Sequence, residues 1–255
     1  MYPIIFKYKM LTIGGYGIML GLAFYLGFLL VERELKLHDK DPEIAYKALL
    51  LIVPSAIIGA KIFHIVDFFG DFLRDPIGMI LSGSGLSVMG GFILSFFVAI
   101  VLFKKIGESI PQMFDFFTPG MAFSYGVGRL GCHVAGDPCY GVQTATFIGT
   151  PYPNGLAPVS VPVFPTPLFE SFMSFVFFFI IMRLRKKEMP LGMLFSIYLI
   201  LHGFARLMVE FLRTNPKVLS IFTQSQVIGI IFIIVGSGLV FFIKKNDQKN
   251  KQLVA

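Results

Sequence analysis

Seven apolar runs, separated by short stretches rich in charge, proline or glycine, organise this chain. About 20 apolar residues in helical conformation cross the hydrocarbon core of a bilayer. On that length the runs predict spans over residues 13–31, 48–66, 85–103, 113–130, 168–182, 191–212 and 226–243. The fourth is the most diluted, because Asp115, Thr118 and Pro119 interrupt its start, and the fifth is short and follows Phe164-Pro-Thr-Pro167. The expected fold is therefore an all-α integral membrane protein of about seven transmembrane helices. No linker is long enough to separate one domain from another, so 1–255 reads as one polytopic domain with a disordered, solvated tail over about 244–255. The N-terminal run is long and lacks a small-residue cleavage site, unlike a cleaved signal.

Composition agrees with the pattern. Of 255 residues, 55% are hydrophobic and 15% charged, where a soluble domain carries roughly a quarter charged. Mean hydropathy is +0.77. Phenylalanine occurs 30 times and tryptophan never, so interface anchoring falls to Tyr and to Lys/Arg. A net charge of +7 on a soluble protein would raise nucleic-acid binding; here most of the positive residues lie in loops, which excludes that reading.

One set of loops (33–47, 104–105, 183–187 and 244–251) holds 14 Lys and Arg residues, and the other holds 5: Lys7, Lys9, Arg74, Arg213 and Lys217. Positive loops stay in the cytoplasm, so the N-terminus is expected outside and the C-terminus inside. The longest loop, 132–167, has no Lys or Arg and suits a translocated, periplasmic region. It carries both cysteines, Cys132 and Cys139. Two such residues are no disulfide scaffold and no zinc site, though a single bridge is open to them in an oxidising compartment.

Lys61, Arg129 and Arg206 lie in or against the spans. An arginine at mid-membrane costs about 2.5–3.5 kcal/mol on insertion scales, so each needs a reason. Lys61 is the one best placed to snorkel to an interface. His202, Arg206 and Glu210 recur every four residues and share a helix face, with Arg213 extending it. Glu210 is the expected partner that orients Arg206. The excess of cations calls for an anion, and in a bilayer that is a phospholipid phosphate, which arginine grips with two prongs.

A second feature is Gly126-Val-Gly-Arg129-Leu-Gly131-Cys132-His133-Val-Ala-Gly136-Asp137-Pro-Cys139-Tyr140-Gly141. Its glycines mark a close approach of backbone or ligand, and Tyr125 lies on the face of Arg129. A small-residue stretch, 82–91, ends in Gly90-Gly91 and suits either a broken helix lining a cavity or plain close packing. Tyr16 opens the first span where interface anchors sit.

Taken in order, these pieces resemble the prolipoprotein diacylglyceryl transferase family along nearly the whole chain. They are Tyr16-Gly17, Gly59-Ala-Lys-Ile62, Gly90-Gly91, Gly128-Arg-Leu-Gly131 with Gly136-Asp137 and Gly141, Pro165-Thr-Pro-Leu-Phe-Glu170, Arg206-Leu-Met-Val-Glu210-Phe-Leu-Arg213 and Gln224-Ser-Gln226. The resemblance implies an enzyme of the bacterial inner membrane. It would move the diacylglyceryl group of phosphatidylglycerol to the lipobox cysteine of a preprolipoprotein, leaving a thioether and glycerol phosphate.

By the same resemblance Arg129 and Arg206 are catalytic, and Tyr16, Lys61, Gly90, Gly91, Asp137, Gly141, Glu210 and Arg213 bind substrate or shape its site. No metal and no organic cofactor is implied. Three positions depart from the family pattern: Met89 stands where a histidine is usual, Cys132 where an asparagine is usual and Asp137 where a glutamate is usual. The run 137–141 also has one residue extra. A histidine base is thus missing from its usual place: either the base is dispensable, or His133 serves instead, or the chain is a divergent paralogue with altered chemistry. A transporter of small anions or lipid is the competing reading, against which no paired interrupted segments recur in two halves. Met89→Ala is expected to change transfer little, since methionine has no proton to exchange. Glycerol phosphate release by the purified variant checks this, and a large loss from well-folded protein would assign Met89 a packing role.

Overall fold

The computed structural model describes residues 4–8, 11–82, 87–213, 215 and 221–254. Gly85, the expected start of the third span, lies outside them, as do Lys9 and Lys217. The chain forms two compact units, Met1–Val31 with Phe114–Ala255, and Glu32–Met113.

A short antiparallel hairpin, β1 (Ile4–Tyr8) and β2 (Leu11–Gly14), leads into helix α1 (Gly15–Leu37). The smaller unit then contains α2 (Glu43–Asp67), α3 (Phe69–Arg74), α4 (Pro76–Leu81) and α5 (Val88–Lys105). Helices α2 and α5 cross where neither has bulk. A Cβ on Gly59 would run into the Gly90 carbonyl, one on Gly90 into the Gly59 carbonyl, and one on Gly91 into the Ala56 carbonyl. Ser87 N donates to Ala60 O at 3.0 Å and pins the start of α5 to α2. Here the glycine pair serves close helix packing, as small residues do where backbones touch in lipid. Asp75 caps α4 by accepting from Gly78 N at 2.9 Å.

The larger unit continues with α6 (Ile110–Ala135), a hairpin of β3 (Thr150–Tyr152) and β4 (Val159–Val163), α7 (Thr166–Leu184), α8 (Met193–Glu210) and α9 (Gln224–Val254). Its helices lock pairwise through small residues. Between α1 and α6, Ser124 Oγ donates to Ala23 O at 2.8 Å, and a Cβ on Gly120 would meet the Gly27 carbonyl. Between α6 and α7, Ser171 and Ser174 donate to the carbonyls of Gly126 and Ala122 at 2.8 and 2.6 Å. Between α8 and α9, Gly203 faces Gly229, and Gly236 faces the Ser196 carbonyl. Partner numbers fall on one element as they rise on the other, so each of these pairs is antiparallel. Asp115 accepts from Gly192 N at 2.6 Å and Phe195 N at 2.8 Å, capping the start of α8 from α6. The residue that dilutes the fourth apolar run is therefore a helix cap.

Five helices, α1, α2, α7, α8 and the Gln224–Lys249 part of α9, are long and apolar enough to cross a membrane. Helices α5 and α6 stand where the third and fourth spans are expected. Helix α9 continues through 244–254, the stretch whose composition reads as a disordered tail; Lys and Gln are good helix formers, and no Gly or Pro follows Gly238. Replacing Gly203 by leucine is expected to force α8 off α9 and to cost about 1–3 kcal/mol. A lowered midpoint of thermal unfolding in detergent, with no change at Gly238→Leu, where nothing stands within 4 Å of an added Cβ, checks it.

Candidate active site

Helix α7 carries a single acidic residue, Glu170, in a phenylalanine-rich stretch. It is 3% exposed, and three arginines converge on it. Arg129 of α6 binds Oε2 through Nε. Arg206 of α8 reaches Oε1 through Nη1 at 2.6 Å. Arg213, just past α8, approaches Oε1 at 3.7 Å. Tyr125, one turn before Arg129, donates to Glu170 Oε2 at 2.8 Å and accepts from Arg129 Nε at 3.0 Å. Arg206 Nη2 donates to Ser225 Oγ on α9 at 2.5 Å. The buried ring of His202 meets that of Tyr125 edge-on, with centroids 4.6 Å apart, and walls the cluster.

This corrects the expected pairing. Glu210 shares a helix face with Arg206, but the carboxylate that orients Arg206 comes from α7. Glu210 instead accepts from Asn215 Nδ2 at 2.8 Å through Oε1. Among the described residues, its Oε2 and the Nε of Arg213 are buried without a hydrogen-bond partner, where buried polar groups are usually satisfied. Glu170 entered the sequence reading only inside the run Pro165-Thr-Pro-Leu-Phe-Glu170; its signal was that of a lone carboxylate in an apolar span.

Gly136, at φ +64°, ends α6 and turns the chain into the loop. Asp137 and Cys139 follow. Cys139 Sγ donates to Asp137 Oδ2 at 3.2 Å, and Arg129 Nη1 points at Cys139 Sγ and Cys132 Sγ at 3.5 and 3.9 Å. Both cysteines are free. The hydrogen bond from Cys132, aided by the Arg129 charge, draws the Cys139 thiol below the usual range against the effect of burial. Tyr16 of α1 lies within electrostatic reach of Arg129, Cys132, Asp137 and Cys139, and a Cβ on Gly131 would touch its ring. Gly141 N donates to Phe164 O at 2.8 Å, while any Cβ there would strike the Leu212 carbonyl. Gly141 thus ties the loop to the end of α8, beside Arg213.

His133, the candidate base, has Nδ1 hydrogen-bonded with the Tyr152 hydroxyl at 2.9 Å. Tyr152 is fully buried, and burial lifts its hydroxyl to about 12. That geometry anchors β3 to α6. Lys61, Met89, Gly90 and Gly91 belong to the smaller unit. There the Lys61 ammonium donates to Met79 O at 3.1 Å and to Ser82 O at 2.8 Å. It closes the C-terminus of α4, where a cation meets unsatisfied carbonyls.

The fold and the site define a multi-pass membrane protein in which three arginines share one buried carboxylate. The chain belongs to the prolipoprotein diacylglyceryl transferase family, whose family model matches residues 3–242. A phosphatidylglycerol–prolipoprotein diacylglyceryl transferase of Leptospira interrogans is 32% identical, the match covering 90% of this chain and 88% of that protein. One from Clostridium tetani is 29% identical over 99% of this chain and all of its own length. A second-numbered enzyme of the same name from Clostridium perfringens is 32% identical over 92% of each. The chain is accordingly a transferase of bacterial type.

Removing the carboxylate charge by Glu170→Gln leaves three guanidinium groups facing one another and is expected to cost about 3–5 kcal/mol. Limited proteolysis and thermal unfolding in detergent check this, with Glu170→Asp expected to lie between the two.

Proposed function

We propose that this chain transfers the diacylglyceryl group of phosphatidylglycerol to the lipobox cysteine thiol of preprolipoproteins, the first step of lipoprotein maturation. It does so as a seven-span protein of the bacterial inner membrane, with the N-terminus and the loop 132–167 outside. The observation that carries the chemistry is the charge balance at Glu170: three arginines lie within 4 Å of one buried carboxylate. Even with Glu210 nearby, the three guanidinium charges exceed the carboxylates, and positive charge remains for a phosphodiester that becomes a dianionic monoester as the reaction proceeds. Charge that develops in a water-poor site is stabilised most by donors already in place.

In this reading the substrate thiolate attacks the glycerol carbon bearing the phosphate. The carbon–oxygen bond breaks, and glycerol phosphate departs with the electron pair. Arg129 and Arg206 hold the phosphate, and Glu170 fixes their rotamers. Glu210 Oε2 and Arg213 Nε, without a partner among the described residues, fit the hydroxyls of the glycerol headgroup. Tyr16 and Asp137 line the thiol side, and Gly141 keeps Arg213 and the loop in register. His133 serves the loop through Tyr152.

Purified protein in phosphatidylglycerol vesicles with a lipobox peptide is expected to release glycerol phosphate. Arg129→Ala and Arg206→Ala are each expected to slow this about 100- to 1000-fold. No release from folded protein sinks the transferase reading, and an unimpaired Arg206→Ala sinks its assigned role.

A further inference from the structure

Spacing along the chain gives Cys132 and Cys139 no third ligand, yet the fold supplies one. The turn at Gly136 folds Asp137 back, and Cys132 Sγ, Cys139 Sγ and an Asp137 carboxylate oxygen all lie within 4.8 Å of one another. Cys132 is buried, while Asp137 and Cys139 are half-buried. The geometry points to a binding site for a thiophilic divalent cation of the zinc class, with three protein ligands and a fourth position open to the thiol of the substrate. This rests on the transferase reading for the identity of that thiol.

The donor set fits such a cation. Zinc takes thiolate sulfur at about 2.3 Å and carboxylate oxygen at about 2.0–2.2 Å in a tetrahedron, which places the ligand atoms about 3.5–3.8 Å apart. Cys139 Sγ and Asp137 Oδ2 already stand at 3.2 Å. Two thiolates and one carboxylate around a dication leave one negative charge, which lies beside the Arg129 guanidinium. Its Nη1 is already aimed at both sulfurs, at 3.5 and 3.9 Å, as N–H donors around metal thiolates commonly are. Sites with three protein ligands keep a position for water or substrate.

On binding, the two cysteine thiols lose their protons to solvent. The substrate thiol displaces the fourth-position water, gives its proton to solvent and stays as bound thiolate. Its sulfur then forms the bond to the glycerol carbon as the carbon–oxygen bond to phosphate breaks. The thioether, a weaker donor than thiolate, leaves. The same arginine therefore touches the phosphate site through Glu170 and the thiol site through the sulfurs.

The test uses Co2+ as the probe on the full chain in detergent, with both thiols first shown free by titration. The expected result is one cobalt per chain with a sulfur-to-cobalt charge-transfer band. That band changes when a lipobox peptide is added and not when its serine counterpart is. Cys139→Ser and Cys132→Ser are each expected to diminish it, and Asp137→Asn to weaken binding roughly tenfold or more. Absence of the band in thiol-free protein overturns the proposal, as does a band that survives in both serine variants or ignores the peptide thiol. Glycerol phosphate release is followed on the same preparations. Release without the band sinks the cation site alone, and the band without release sinks the transferase reading alone.

Discussion

One buried carboxylate holds the larger unit's chemistry together. Glu170 sits in an apolar bundle with Arg129, Arg206, Arg213 and Tyr125 around it. An isolated ion at that depth would be strongly disfavoured, and a pair survives only when its geometry is good and its remaining hydrogen bonds are filled. Glu170 meets both conditions with both oxygens. Without it the arginines would repel one another and turn toward water, and the side chains lining an anion site would have no fixed positions.

That arrangement depends on how closely the helices approach. In lipid no hydrophobic force draws helices together, so contact between backbones and a few hydrogen bonds must do it. The small residues are placed accordingly: Gly27 against Gly120, Ser171 and Ser174 on the α6 carbonyls, and Gly203 against Gly229. Ser174 lies four residues from Glu170 and three from Ser171, and both serines meet α6 as Glu170 does. Packing of α7 on α6 and aiming of the carboxylate at Arg129 are therefore one event. Asp115, which caps α8 from α6, sets the far end of the helix that carries Arg206.

The loop after α6 extends the same logic outward. Gly136 turns it, Gly141 docks it on the Leu212 carbonyl, and His133 with Tyr152 clamps β3 behind it. The outcome is that Asp137 and Cys139 return to Arg129, ten residues along the chain from Cys139 but 3.5 Å from it. Arg129 thereby belongs to two groups at once, the carboxylate cluster within the bundle and the sulfur pair at its edge.

The chain by itself determined the membrane class, the approximate positions of the long apolar helices and which cations lie in or against them. Apolar length and the cost of a buried cation are local properties that need no partner to be read. The sequence also carried enough of its family's pieces to name the chemistry. Only the tertiary structure decided what those residues do to one another. Arg206 and Glu210 lie four apart on one helix, yet the ion pair forms with Glu170, 36 residues away in sequence, because α7 packs beside α8 at that level. Lys61, the cation best placed along the chain to snorkel to an interface, closes the end of α4. Helix α9 runs on through 254, and the turn at Gly136 brings Cys132 to Asp137 and Cys139. In each case the periodicity told which way a side chain leaves its own helix. Which group stands opposite depends on how two helices pack in space, and a linear pattern does not contain that distance.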